Sequence, residues 1–152
     1  MKYYRLIEKT HEKSPLGYGR SGGRWNYKGT PLIYAASSSA LCLLELLTIK
    51  GSAVATTKWV LITLDIFDSI PYLHPSDLPK NWANRPYPAS TQRFGTNWAR
   101  EMTTPYLKVP SCRIPITSFP AEHNLLVNPM HPEFTSGLRI ETIDDFTYSL
   151  NH

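Results

Sequence analysis

The sequence predicts an α+β fold: one domain on a mixed or antiparallel sheet core, with few helices. Three observations carry that expectation. Residues 53–67 form the strongest strand, with Val60, Ile62, Leu64 and Ile66 on one face and Trp59, Leu61, Thr63 and Asp65 on the other. Helix caps precede only two stretches, after the serines at 37–39 and after Ser90 or Thr91. The rest of the second half breaks into short apolar runs, the mark of short strands.

In chain order, residues 3–8 open with a strand. A Gly- and Arg-rich loop at 17–29 follows, whose five glycines mark backbone that bends or approaches something closely. Residues 31–36 form a second strand. Ser37, Ser38 and Ser39 offer N-caps for a helix to about residue 49, ended near Gly51. After the long strand, residues 68–89 carry five prolines and read as irregular, with one helical turn after Ser76. A second helix runs through Glu101. Short strands are expected at 106–109, 113–116 and 125–127, with 138–141 and 146–149 completing the sheet. No repeat or linker divides the chain.

At 152 residues the chain is one compact domain with room for a real core. Apolar residues make up 41% and charged residues 18%, a globular balance. The net charge of +4 is spread along the sequence. It tolerates an anionic ligand without defining a nucleic-acid groove. Four Trp, nine Tyr and five Phe exceed what packing alone usually needs. Two cysteines, Cys42 and Cys112, exclude a disulfide framework and a four-cysteine zinc site. Cys42 reads as a small core residue. The N-terminus lacks a signal peptide's apolar stretch. The apolar segments from Leu32 and Val54 are too broken for a membrane span. A cytoplasmic protein is expected.

The helix after Ser37 is the informative element. From Ala40 to Leu47 every residue is apolar except Glu45, a pattern that predicts burial nearly all round. A carboxylate there either leaves through a solvated edge or needs a cation or donors. The preceding loop offers Arg20 and Arg24 around Ser21-Gly22-Gly23, with Trp25 and Asn26 following. Such a loop is either a surface turn or a diphosphate cradle, since guanidinium offers forked donors and glycine admits backbone N–H groups. Gly17, Gly19 and Gly22 spell Gly-x-Gly-x-x-Gly, but Lys13-Ser14-Pro15 before them and Gly29, Thr30 and Pro31 after them deny the strand and helix of a dinucleotide fold. His11, His74, His123, His131 and His152 show no metal-binding spacing, so no metal site is expected. Asn128 and His131 close a strand, where they either cap turns or touch a ligand. Nothing fixes Cys112 beside a histidine as a nucleophilic pair.

Three motifs in order carry a resemblance over about residues 3–134: GGRWNYKGTPLIYAASSSALCLLELL from Gly22, VPS at 109–111, and HNLLVNPMHPEF from His123. Together they resemble the RES domain, a family named for an Arg, a Glu and a Ser that fall here on Arg24, Glu45 and Ser111. Tyr34 matches the family's active-site tyrosine. The resemblance makes the chain a single RES domain, residues 1–152, similar in fold to ADP-ribosyltransferases and diphtheria-type toxins. It implies a toxin of a type II toxin–antitoxin system that consumes NAD+ as substrate and carries no resident cofactor. It also implies an Xre-type helix-turn-helix antitoxin covering the active site, a homodimer within the complex, and contact with nucleic acid only through the antitoxin.

That assignment gives each residue an expected task. Cleaving the nicotinamide–ribose bond builds positive charge on the ribose. Glu45 would stabilise it, Arg24 with Arg20 would grip the diphosphate, Tyr34 would stack on a ring of NAD+ and Ser111 would hydrogen-bond nearby. Gly23, Asn26, Asn128 and His131 are further candidates for substrate contact. Leu43-Leu44-Glu45 lacks the Glu/Gln-x-Glu motif of several protein-modifying transferases. This favours hydrolysis or phosphorolysis of NAD+ over mono-ADP-ribosylation of a macromolecule, the alternative. A more distant one is a basic module that stacks single-stranded nucleic acid on its Trp and Tyr rings.

Overall fold

Strand β1 (Lys2–Glu8) pairs with β3 (Trp59–Ile66) in unbroken register, from Lys2↔Asp65 to Glu8↔Trp59. With β2 (Ile33–Ala36), β4 (Tyr106–Val109), β5 (Asn124–Val127) and β6 (Leu138–Phe146) they make one sheet in the order β4-β5-β2-β1-β3-β6. Every pairing is antiparallel, so the antiparallel form of the expected sheet is the one adopted. The computed structural model describes residues 1–149, and His152 lies outside them. Val60, Ile62, Leu64 and Ile66 are fully buried with Tyr3, Leu125 and their neighbours on one core. A second core gathers Trp25, Leu73, Trp98, Ala99, Leu107 and Leu126.

Three expected elements change. Residues 53–56 leave the predicted strand for a 3-10 helix (Gly51–Thr56), and the Thr56 and Thr57 hydroxyls donate to the Ala53 carbonyl. Residues 113–116 form no strand. The Arg113 N–H donates to the Ser111 hydroxyl and Pro115 has none to give, so the segment turns into the 3-10 helix Ile116–Ser118. The strand expected at 138–141 runs on to Phe146 as β6, which follows β3 across an irregularity at Thr63/Leu64, while 147–149 of the second expected piece form no strand. β6 is an edge strand whose middle is exposed, so its polar and charged residues break the alternation that marks a half-buried strand.

Helix α1 (Ser39–Lys50) begins as expected. The Ser38 side chain accepts from the Leu41 N–H at 3.1 Å, and Gly51 takes φ +59° to end it. The burial expectation is corrected. Only Leu41 and Cys42 of α1 are buried; its other leucines are half-buried and Ile49 is 66% exposed, because α1 rests on the sheet as an outer layer. By length and composition alone, Ser39–Thr56 is apolar enough to cross a membrane. Here it breaks at Gly51 and packs on β1 and β2.

Helix α2 (Ala89–Glu101) starts after Pro88, one residue before the predicted serine cap. It presses on the Gly-rich loop: a Cβ on Gly95 would stand 1.8 Å from the Trp25 carbonyl oxygen. Only glycine permits that approach. The Thr96 hydroxyl accepts from the Tyr27 N–H, and the Gln92 amide donates to the carbonyls of Gly23 and Asn26. The proline-rich segment contains the expected helical turn as the 3-10 helix Pro75–Asp77. Its start lies along β4 through Leu73 N–H to Lys108 O and Lys108 N–H to Pro71 O, both 2.9 Å.

Candidate active site

β1 and β2 are joined in register only at Tyr4↔Ala36 and part from there toward Ile7 and Ile33. A cavity of about 720 Å³ opens in that gap. Arg5, Leu6 and Ile7 form one wall, Leu32, Tyr34 and Ala35 the other, and loop residues from Gly17 to Asn26 close over it. α1 supplies Cys42, Glu45, Leu46 and Ile49, which its helical repeat brings to one face.

Glu45 is the best-held group in the cleft. Its Oε1 accepts from the Ser111 hydroxyl at 2.5 Å and from the Asn124 side-chain amide at 2.8 Å. Its Oε2 lies 3.6 Å from Nε of Arg113, a nitrogen that is buried without a hydrogen-bond partner. The side chain is about a quarter exposed, so neither sequence alternative holds alone: Glu45 is both satisfied by donors and open to the cleft. Ser111 and Arg113 come from the turn after β4, and Asn124 is the first residue of β5.

Arg5 is a second charged group of the cleft. Its guanidinium donates to the carbonyls of Pro15 at 2.6 Å and Gly17 at 3.0 Å, while its buried Nε is unpaired. Burial lowers its pKa to about 10, which leaves it a cation at neutral pH. Burial also pushes the Cys42 thiol up to about 12, so the cleft's cysteine is neutral and unsuited to attack.

The sequence-nominated residues fall into three groups. Glu45 and Ser111 meet directly. Gly23, Asn26 and Tyr34 line the cleft as one unit: the Tyr34 hydroxyl donates to Asn26 Oδ1 and accepts from the Trp25 N–H, and Asn26 Oδ1 also accepts from the Gly23 N–H at 3.0 Å. A side chain on Gly23 would collide with the Tyr34 hydroxyl. Burial raises the Tyr34 pKa well above the usual phenol range. Its hydroxyl thus holds the loop while its ring faces the cleft.

The remaining nominees lie elsewhere. Arg24 is not among the cleft-lining residues; its guanidinium donates to the carbonyls of Trp82 and Asn84. Arg20 is exposed beside a smaller hollow with Tyr18, Gly29 and Pro31. Asn128 and His131 are buried in turn bonds rather than at the cleft. The Asn128 amide donates to Ala99 O and its oxygen accepts from the Met130 N–H, while the His131 Nδ1 accepts from the Glu133 N–H. Among the described residues no group of three or more His, Cys, Asp or Glu could hold a metal.

Arg5, Arg113 and Asn124 were not nominated. Arg5 left a signal, since it interrupts Tyr3 and Ile7 on the core parity of β1. Arg113 and Asn124 left none, because only the turn after β4 and the start of β5 bring them to α1.

The RES domain family model matches residues 2–151. The chain is 39% identical over 142 residues to the protein named Toxin Res of Yersinia enterocolitica, covering 91% of this chain and 90% of that one. It is 32% identical over 147 residues to the Prs ADP-ribosylating toxin of a Sphingobium species, covering 92% and 88%. Among solved structures it matches a chain of the M. tuberculosis MbcT–MbcA toxin–antitoxin complex with a TM-score of 0.72 and 20% identity, over 96% of this chain and 84% of that one. That last likeness is one of fold. The family model and the relatives' identity together show that the chain belongs to the RES domain family.

Proposed function

We propose that this chain is the toxin of a toxin–antitoxin pair and that it degrades NAD+ by cleaving the nicotinamide–ribose bond. The carrying observation is the Glu45 carboxylate, fixed at one oxygen by Ser111 and Asn124 on the wall of a cleft that also holds the Arg5 cation. The volume falls within the ~300–1,000 Å³ of small-molecule sites. Apolar walls from Leu6, Ile7, Leu32 and Leu46 suit flat rings, and Arg5 suits a diphosphate.

As the C–N bond breaks, nicotinamide leaves with the bonding electron pair and the ribose becomes oxocarbenium-like. The Glu45 carboxylate stabilises that charge and hydrogen-bonds a ribose hydroxyl. Water or phosphate then attacks the anomeric carbon and loses a proton, giving ADP-ribose or its 1″-phosphate. Arg24 contributes by holding the segment around Trp82 and Asn84 beside the Gly-rich loop. An Xre-type antitoxin over the cleft, a toxin dimer within the complex and action in the cytoplasm complete the reading.

The second reading is ADP-ribose transfer to a macromolecule, favoured by the relative named an ADP-ribosylating toxin. One experiment separates them: intracellular NAD+ after brief induction without antitoxin, wild type beside Glu45→Gln. NAD+ collapse in wild type and a rate about 10²–10³ lower in Glu45→Gln supports degradation. Growth arrest with NAD+ intact and labelled ADP-ribose on a target supports transfer. Equal toxicity of Glu45→Gln at matched expression overturns both.

A further inference from the structure

We propose that Asn124 is a positioning residue that divides the two oxygens of Glu45, holding Oε1 for the protein so that Oε2 faces the substrate. The inference rests on the reading of Glu45 as the charge-stabilising group. Two donors converge on Oε1, the Ser111 hydroxyl at 2.5 Å and the Asn124 amide at 2.8 Å. Oε2 has only the Arg113 Nε, at 3.6 Å and outside hydrogen-bond reach. A carboxylate held at both oxygens would meet a ribose hydroxyl poorly; one held at neither would rotate. A clamp on one oxygen fixes the plane and leaves the lone pairs of Oε2 without a hydrogen bond.

Asn124 is built to hold still. Its backbone pairs with Ala36 of β2 on one side and Val109 of β4 on the other. The residue before it is locked as well. The His123 N–H donates to the Ser37 hydroxyl, the Ser37 N–H returns a bond to the His123 carbonyl, and the His123 ring is held between Tyr3 and Pro120. Ser37 directly precedes the Ser38 cap of α1, so one short stretch fixes both Glu45 and the donor that aims it. The amide must present its nitrogen, because the flipped form would set a carbonyl oxygen against the carboxylate.

The sharpest variant is Asn124→Asp, nearly isosteric and a donor only when protonated. Two carboxylates at hydrogen-bond distance share one proton: at acid pH the pair is Asp–OH···⁻O–Glu, which reproduces the amide's bond, and at higher pH both charge and repel. The other titratable or polar groups of the cleft and around the pair include Arg5 of β1, His11, Tyr34 of β2, the neutral thiol of Cys42 on α1, and Ser111 and Arg113 of the turn after β4. β4 itself adds the apolar Val109.

Nicotinamide release by the purified chain is measured from acid to mildly alkaline pH for wild type, Asn124→Ala and Asn124→Asp. Asn124→Ala should lose about 10²-fold in kcat with KM nearly unchanged, the cost of a misaimed group. Asn124→Asp should approach wild type at acid pH and fall away along an alkaline limb that wild type lacks. A pH profile parallel to wild type, or an Asn124→Ala chain with wild-type kcat, overturns the proposal. Carboxyl ¹³C NMR of Glu45, assigned with Glu45→Gln, decides the clamp without turnover. Coupled titration in two steps for Asn124→Asp upholds it even if wild type releases no nicotinamide, an outcome that removes the enzymatic reading alone. Independent titration overturns it.

Discussion

The Arg24 guanidinium donates to the carbonyl oxygen of Trp82 at 2.6 Å, across 58 residues of sequence. With a second bond to Asn84 O at 3.0 Å, it staples the proline-rich segment to the Gly-rich loop. The same segment is tied on its other side, where Arg85 donates to the Cys112 carbonyl next to Ser111. Arg24, nominated from the sequence to grip a diphosphate, thus holds backbone beside the cleft.

Removing that staple should loosen the segment before it touches chemistry. Arg24→Ala is expected to raise amide hydrogen exchange over residues 80–88 and to cost about 1–2 kcal/mol of local stability, since charge-assisted bonds are worth ~1.5–3 kcal/mol and this one is partly exposed. Arg24→Lys, which lacks the planar fork, should recover only part of the protection. Unchanged exchange in Arg24→Ala would dismiss the staple.

Tyr34→Phe keeps the ring and removes the hydroxyl that joins Asn26 to the Trp25 N–H. Denaturant titration should show a loss of about 1–2 kcal/mol, the cost of leaving partly buried polar groups without a partner. A stacking role alone predicts full activity in Tyr34→Phe, whereas a loop-holding role predicts a fall that Tyr34→Leu deepens.

His123 sets an acid limit on the fold. Pro120 O can only accept, so Nδ1 carries the proton and Nε2 accepts from the Tyr3 hydroxyl. Burial lowers the imidazole pKa from 6.5 to about 4. The unfolded chain therefore binds more protons between those values. Stability is fully present above the unfolded pKa and falls as the pH drops toward about 4, by a few kcal/mol at most. Urea midpoints across this range should slope for wild type and flatten for His123→Asn.

Gly95→Ala asks α2 and the Trp25 carbonyl to occupy one space. The helix gains propensity on an exposed scale but must shift bodily, so a drop of about 1–3 kcal/mol in unfolding free energy is expected, with disturbed Trp25 fluorescence. A stabilised variant would show that the contact is looser than drawn.

Local signals were enough for much of this molecule. The serine cap, Gly51 and the alternation of Val60 to Ile66 each act within a few residues, and each element formed where they stand. Residues 113–116 and the middle of β6 were misjudged because their fate depends on neighbours: a Ser111 hydroxyl in one case, an exposed sheet edge in the other. The site divides the same way. Glu45 stood out as a lone charge in an apolar helix and Ser111 through its motif. The amide of Asn124, 79 residues from Glu45, reaches it only because β5 starts under α1. Asn128 and His131 take the turn-capping side of the two alternatives the sequence leaves open, since asparagine and histidine at a strand end satisfy turn backbone as readily as they bind a ligand.

The single rung between Tyr4 and Ala36 divides the sheet's backbone ladder into two halves. On one side lie β1, β3 and β6, on the other β2, β5 and β4, each trio laced tightly within itself. The backbone shares one bridge between the trios and side chains carry the rest of the join: Tyr3 and Val60 pack with Ile33 and Leu125 in one core, and the Tyr3 hydroxyl meets the His123 ring. α1 spans that join by resting on both β1 and β2, so both halves of the sheet position the carboxylate of Glu45.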